Sequence, residues 1–395
     1  MSRQFRRSLF FSTLILVLSL GWEAAEQSTP PTFGKIYLRE NLLLVSDLTK
    51  GIRLLDIANP GTPSYIGLLG IEGNHDMAIA SSDGDNQLNL YADSYAHLLV
   101  YDISNPLQPR VIDTLYNIFQ NAAGIGWGDP MPRIPSPSLD RVGGVSGCTG
   151  CSENVVYVAR DDSRGPWLGG GFENAGSRGS GRGGSMARFA VVDDYLYCID
   201  YTQLYVFEID NPAAPRLVSR VNIGWGIETL FPYQDYLFIG GQNGMFIYSR
   251  KNPELPEYVS TFQHIRACDP VVVEDSIAYV TLRGGTRCGQ VVSALHVVDV
   301  KNLFNPKILN SYPLPQPMGL DVRWKIAYVC DDSAGVYILN VIDPNNIREL
   351  ARISEQFGYD TILSNWLLIV ASRNSISFYN VANPQSPIFL SRYGG

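Results

Sequence analysis

Beyond residue 20 the sequence has no apolar run long enough to cross a bilayer, and no segment there combines helical periodicity with caps. Helical membrane bundles and soluble all-α folds are thereby set aside. Basic charge is also in short supply: 30 Lys and Arg stand against 38 Asp and Glu, for a net charge of -8. Such a chain has no general attraction for phosphate backbones, and nucleic acid is not an expected partner. Its densest arginine region, Arg160 to Arg188, is interleaved with acids and glycines and reads as a solvated loop. Histidine is scarce, with 4 in 395 residues, and none has a spacing that specifies a metal site. His75, His97 and His264 read as loop histidines with local partners, and His296 in "ALHVVDV" reads as structural. No nucleophile elbow is present: "GVSGC", 144 to 148, breaks the G-x-S-x-G pattern at Cys148. No catalytic residue is therefore assigned.

What is present is repetition. The phrases DIANPGTP (56–63), DISNPLQP (102–109), EIDNPAAP (208–215) and SRKNPELP (249–256) are variants of one motif. Weaker copies are DVKNLFNP (299–306), NVIDPNNI (340–347) and NVANPQSP (380–387). Proline fixes φ and lacks an N–H, so each copy ends a strand ladder. Most intervals cluster near ~40 residues, the range of propellers and arrays. Before each copy runs an apolar strand: LLLVSD, NLYADS, YLYCID, YLFIGG, IAYVTL, IAYVCD, LLIVAS. Continuous β-branched and aromatic runs of this length fit strands buried on both faces, as in stacked blades. The expectation is an all-β, seven-bladed β-propeller of four-stranded blades over 34–395, with a Gly-rich insertion at 119–184 between blades two and three.

The units "LVSD..GIRLLDIANP..P", "LYADSYAHLLVYDISNP..P" and "FIGGQNGMFIYSRKNP..P" resemble LVIVD repeats, and the resemblance covers nearly all of 34–395. Exported bacterial proteins with these repeats are similar in carrying "GGSMARF" and "CDPVVVE", here at 183–189 and 268–274. The resemblance implies a cell-envelope propeller and supplies no catalytic residues. An export signal agrees with it. Arg3, Arg6 and Arg7 precede "LFFSTLILVLSL", 9–20, so residues 1–21 read as a signal peptide cleaved after Gly21, or as an uncleaved anchor, followed by a linker at 22–33. No other membrane span is expected, and the location is periplasmic, cell-surface or secreted.

In such a blade the loops from one outer strand to the next inner strand share a face with the loops between second and third strands. Acids recur near the inner-strand entrances: Asp76, Glu228, Asp269, Asp321 and Asp360. Sevenfold stacking brings them toward one axial mouth. A ring of carboxylates invites a divalent cation such as calcium, or a sugar. The plainer reading, which we favour, is that each acid accepts local backbone N–H bonds or pairs with Arg266, Arg283 or Arg287. No metal is assigned and no cofactor is expected beyond that cation alternative. "SSDGDNQ", 81–87, is adequately explained as a hairpin turn. "IGWG" occurs at 125–128 and 223–226; glycines on both sides of Trp225 either expose the indole as a platform or dock it as a plug between blades. The candidate binding face comprises Asp76, Trp225, Glu228, His264, Arg266, Asp269, Arg283, Asp321 and Asp360.

Export makes disulfides permissible for the 6 cysteines. Cys148 and Cys151 form a lone CxxC without a thioredoxin-like unit or a second CxxC, so it reads as a local disulfide, with a metal half-site as the alternative. Cys268 and Cys288 lie in two same-face loops of blade five and are candidates for pairing. Cys198 and Cys330, on second strands of blades three and six, read as separate buried thiols. The terminal run "GGGFENAGSRGSGRGGS" reads as a mobile linker rather than a phosphate cradle. Function then divides two ways. A binding or scaffold module presenting its loop-rich face to a protein or glycan of the cell envelope needs no catalytic set. A secreted hydrolase or lyase would need Asp269 or Glu228 as base and His264 as acid at an acid-lined axial mouth, with or without a cation.

Overall fold

The computed structural model describes residues 32–81, 87–119, 181–263, 270–284 and 292–394. Strands are numbered β1 to β29 in chain order. The first blade is β1 (Phe33–Arg39), β2 (Leu42–Asp47), β3 (Gly51–Asp56) and β4 (Ser64–Gly70), paired antiparallel in sequence order. Six further four-stranded sheets repeat this plan, giving a seven-bladed β-propeller with no helix among the described residues. Their inner strands are β5 (Met77–Ser81), β10 (Phe189–Val192), β14 (Ile227–Tyr233), β18 (Val271–Glu274), β22 (Pro317–Arg323) and β26 (Asp360–Ser364).

Burial falls from the axis outward. The second strand of blade six, β23 (Ile326–Asp331), is buried at every residue after its first, whereas the outer strand β25 (Arg348–Ile353) is largely exposed or half-buried. The core therefore lies between blades, not inside any one sheet. One cluster joins Ile36, Leu43 and Val45 of the first blade to Ile362, Ile369 and Phe378 of the last. At about 25 cal/mol per Å² of apolar area, this inter-blade burial is what holds the ring together.

The Asn-Pro phrase is a structural device. Side-chain oxygens of Asn59, Asn105, Asn211, Asn302, Asp343 and Asn383 each accept a backbone N–H two residues on, at 3.0–3.2 Å. In all seven blades the pairing of third and fourth strands then shifts register at one equivalent place, as between Leu54 and Leu55 or Val100 and Tyr101. Such bulges increase strand twist and splay the outer strand, which suits a blade that widens toward the rim.

The ring closes without a shared strand, since every blade takes four consecutive strands of its own. Phe33 N–H donates to Arg373 O at 2.6 Å, Phe33 stacks on Tyr393, and Arg53 Nη1 donates to the Tyr393 hydroxyl at 3.3 Å. Cys198 and Cys330 are free and buried, as expected. Cys148, Cys151, Cys268 and Cys288 lie outside the described residues, as do residues 1–31 and 120–180.

One part of the Gly-rich region departs from the linker reading. Residues Arg182–Gly183 form β9, a fifth strand on the axial side of β1, with Gly183 opposite Tyr37 and Arg182 opposite Leu38. Gly184 N–H continues the pairing to Ile36 O. An inner-strand edge offers unpaired backbone groups, and a small-residue segment can approach closely enough to satisfy them.

Candidate functional site

Two faces follow from the topology. One carries the links from outer to inner strands and the turns between second and third strands; it is called the entry face below. The other carries the Asn-Pro loops and the turns between first and second strands. The chain leaves the described residues on the entry face at Phe119, whose N–H bonds to Ala96 O, and rejoins them beside Leu38 at the far end of β1. From there residues 181–188 run up the axis to the entry face and continue into β10.

This axial segment is where three of the expected acids meet. Asp76 accepts the backbone N–H groups of Arg188 and Phe189 and lies 3.6 Å from Lys35 Nζ. Lys35 Nζ also donates to Met186 O. Asp321 pairs with Arg182 and accepts Leu363 N–H at 2.6 Å. Asp360 accepts the Ser185 hydroxyl at 3.1 Å and Thr361 N–H at 2.9 Å. Ser185 Oγ in turn accepts Leu320 N–H at 2.8 Å. The segment thus ties the inner strands of blades one, two, six and seven to one another. Gly184 is required by proximity: a Cβ there would lie 2.1 Å from Asp360 Oδ2.

Burial dominates the electrostatics. It raises the carboxyls of Asp76 and Asp321, opposed by Lys35 and Arg182 respectively, and pushes Asp360 up to about 7. Burial likewise pulls the Lys35 ammonium down to about 8, against the attraction of Asp76. Arg188 is 6% exposed, and its Nε and Nη2 have no hydrogen-bond partner among the described residues. Asp93, Asp76, Glu228 and Asp200 supply compensating charge to it. It borders a cavity of about 10 Å³ with His75, Asp93 and Asp200, about the size of one water. The local N–H bonds of Met77 to Asp76 and of Thr361 to Asp360 fit the plainer reading of the ring, but the other partners are Lys35, Arg182, Ser185 and backbone groups remote in sequence rather than the arginines that reading named.

On the entry face the arrangement differs. Trp225 is 53% exposed, so the plug reading of its indole does not hold. Gly224 (φ 133) and Gly226 (φ 84) occupy conformations that favour glycine, and they bring the chain out and back around the tryptophan. Tyr201 meets it edge to face at 4.9 Å between ring centroids, 83° between planes. Gln242, in the turn between second and third strands of blade four, donates from Nε2 to Glu228 Oε1 at 3.0 Å and to the Tyr201 hydroxyl at 3.3 Å. Its side chain packs against Gly226, where a Cβ would come within 3.3 Å. Indole, phenol, amide and carboxylate thus form one connected group spanning blades three and four. Arg283 sits on the same face with Nη1 2.8 Å from Met318 Sδ, under the attraction of Asp332 and Glu228.

His264, Arg266 and Asp269 lie outside the described residues, as does most of "SSDGDNQ". His75 places Nδ1 3.3 Å from Asp93 Oδ2, and His97 Nδ1 accepts Asn117 N–H at 3.0 Å, so both have local partners. Among the described residues no group of three or more His, Cys, Asp or Glu side chains is placed to hold a metal ion. The opposite face carries a groove of about 400 Å³ between Trp324 and Trp366, floored by Ile326, Tyr328 and Val381. Sequence reasoning missed Lys35, Arg182, Ser185, Tyr201 and Gln242. The Gly183–Gly184 pair inside "GGSMARF" was the available signal for a close backbone approach.

No family model matches the chain, and no curated protein matches it. Solved structures do resemble it. A protein from Lactobacillus plantarum aligns with a TM-score of 0.59 at 11% identity, covering 91% of this chain and 96% of that one. A functionally unknown protein from Desulfotomaculum acetoxidans gives 0.54 at 11% identity, over 91% and 95%. The computationally designed Ika8 protein gives 0.53 at 9% identity, over 93% and 89%. At these identities the likeness establishes the propeller fold alone.

Proposed function

We propose that this chain is an exported cell-envelope β-propeller of the LVIVD-repeat kind, acting as a binding or scaffold module through its entry face toward a protein or glycan partner. The observation that carries the reading is Trp225: a large aromatic held half in solvent by two left-handed glycines and braced by Tyr201. Desolvating an exposed indole on binding is a common source of interface energy. The hydrolase alternative draws no comparable support: of the residues it names only Glu228 is described, and Glu228 is bonded to Gln242. The test is co-sedimentation of the purified protein with cell-envelope preparations of the source bacterium, wild type against Trp225→Ala. Saturable binding that the substitution weakens at least about tenfold supports the proposal. Absence of binding, or equal binding by both proteins, overturns it.

A further inference from the structure

We propose that the pocket between blades two and three on the entry face receives the primary carboxamide of an asparagine or glutamine side chain presented by a protein partner. The inference rests on the binding-module reading and narrows its partner class. Arg188 lines this pocket with His75, Asp93, Tyr95 and Asp200, and it is 6% exposed. Its Nε and Nη2 are buried without a hydrogen-bond partner among the described residues. A guanidinium carries its donors in a fixed fork, and leaving them unmet in the interior is costly. The neighbouring carboxylates do not meet them, because each is bonded elsewhere. Asp93 Oδ1 accepts the N–H groups of His75 and Asp76, both at 2.8 Å, and its Oδ2 lies 3.3 Å from His75 Nδ1. Asp200 accepts Thr202 N–H at 2.7 Å, and Gln203 N–H and the Tyr205 hydroxyl at 2.8 Å. Asp76 accepts Phe189 N–H at 3.2 Å, and Glu228 accepts Gln242 Nε2 at 3.0 Å.

Charge and size then select the ligand group. Asp93, Asp76, Glu228 and Asp200 all act on the Arg188 charge, while Lys35 is a second cation beside it. The carboxylates outnumber the cations, so the pocket repels an anion while its donors still call for an oxygen. A neutral carbonyl oxygen answers both conditions. The space beside Arg188, about 10 Å³, takes one atom of that size and not a phosphate or sulfate group. A primary carboxamide also sets an N–H donor next to its oxygen, on the side where Asp93 Oδ2 can accept it. A backbone amide, or the acetamide of an amino sugar, points its N–H away from the oxygen and puts carbon in that place. Aspartate and glutamate have the right shape and the wrong charge. Tyr95 stands at the mouth, 44% exposed, with its ring against Gly73, where a Cβ would come within 2.6 Å. Its φ of 53 lies in the left-handed region that favours glycine, so the backbone accepts strain to place a ring over the methylenes of an entering side chain.

The probes are acetyl-glutamine N-methylamide and acetyl-glutamate N-methylamide, titrated into the full chain to about 50 mM and followed by ligand-observed NMR. The expected result is saturable binding of the glutamine probe with a Kd on the order of millimolar, at least about tenfold tighter than the glutamate probe. Arg188→Lys, which loses the planar fork, is expected to weaken the glutamine probe at least about tenfold, and Tyr95→Ala about threefold. Trp225→Ala is expected to leave it unchanged. Melting temperatures of the variants establish that each is folded. No saturable binding of the glutamine probe, equal binding of the glutamate probe, or binding by Arg188→Lys within about twofold of wild type overturns the inference. Where Arg188→Lys does not fold, Tyr95→Ala decides, and an affinity it leaves unchanged overturns the placement. Equal binding of N-acetylglucosamine also overturns the inference and assigns the pocket to a glycan. If the glutamine probe fails while Trp225→Ala still weakens envelope co-sedimentation, the carboxamide assignment falls and the binding-module reading stands.

Discussion

Replacing Gly184 by alanine tests whether the axial segment is a structural member of the ring. The added Cβ would sit 2.1 Å from Asp360 Oδ2 and 2.6 Å from Cγ, more than 1 Å inside ordinary contact. The carboxylate has little room to yield, because Ser185 Oγ and Thr361 N–H hold Oδ1 at 3.1 and 2.9 Å. Either the carboxylate leaves those bonds, or residues 182–186 retreat from β1 and lose the pairing at Gly183. Overpacking a close contact costs about 1–3 kcal/mol, and breaking a buried hydrogen bond adds about 1 kcal/mol or more. A destabilisation of about 2–4 kcal/mol is expected, which in a chain of this length lowers the melting temperature by roughly 3–5 °C. Gly70→Ala is the internal control, because a Cβ there meets nothing within 4 Å. Urea denaturation of the two variants beside wild type is the assay. A Gly184→Ala midpoint indistinguishable from that of Gly70→Ala would refute the role given to the axial segment.

Arg182→Gln leaves the buried Asp321 carboxylate without its cation and is expected to cost about 2–4 kcal/mol by urea denaturation; adding Asp321→Asn should recover part of the loss. The pH dependence has a definite sign at Asp360. Its folded pKa of about 7 lies above the ordinary carboxyl value, so the folded state binds the extra proton, and the contribution is present at low pH and lost as pH rises toward 7. Asp360→Asn should therefore lie nearest wild type near pH 4 and gain on it as pH rises to about 7, with the gap levelling off above that; a gap constant between pH 4 and 7 would count against the argument. Lys35 runs the other way, since a lowered folded pKa of about 8 makes its contribution rise with pH between about 8 and 10.5. Lys35→Met should flatten the upper end of a stability–pH profile measured by the same denaturation. Cys198 and Cys330 are buried with thiols pushed up by burial, so neither should react with an aromatic disulfide reagent until the chain unfolds. Rapid labelling of either in native buffer would contradict their placement.

The fold was legible because its signals are local and repeated. An Asn side chain that bonds the N–H two residues on, and a proline that ends a ladder, act within eight residues, and seven copies fix the count. The second strands are equally plain, being apolar over four or five consecutive residues rather than at alternate ones. The site was harder to read because its contacts join positions far apart in the chain. Arg182 meets Asp321, Ser185 meets Asp360, and Asp76 meets the backbone at Arg188 and Phe189. Nothing in the spacing of those residues encodes their meeting, which depends on the ring having closed. Trp225 lies between these cases: its glycines announced an unusual backbone, and only the packing at Tyr201 decided between exposure and burial.

Those long-range contacts also change what the acidic ring means. Carboxylates converging on an axis repel one another unless something neutralises or solvates them, and an empty acidic tunnel is a natural place to look for a cation. Here the neutralising groups come from the same chain. Lys35 is supplied by the inner strand of the first blade, Arg182 and Ser185 by the axial segment, and two backbone N–H groups by the entrance to β10. The same contacts connect the first blade to the last two, at the junction where the ring has no shared strand to close it. An acid placed to hold that junction is poorly placed for turnover, because releasing it to a substrate would loosen the ring. On the proposed binding-module reading, recognition is best carried by groups whose engagement costs the ring nothing. Trp225, at the rim and half exposed, meets that condition, whereas Asp76, Asp321 and Asp360 do not.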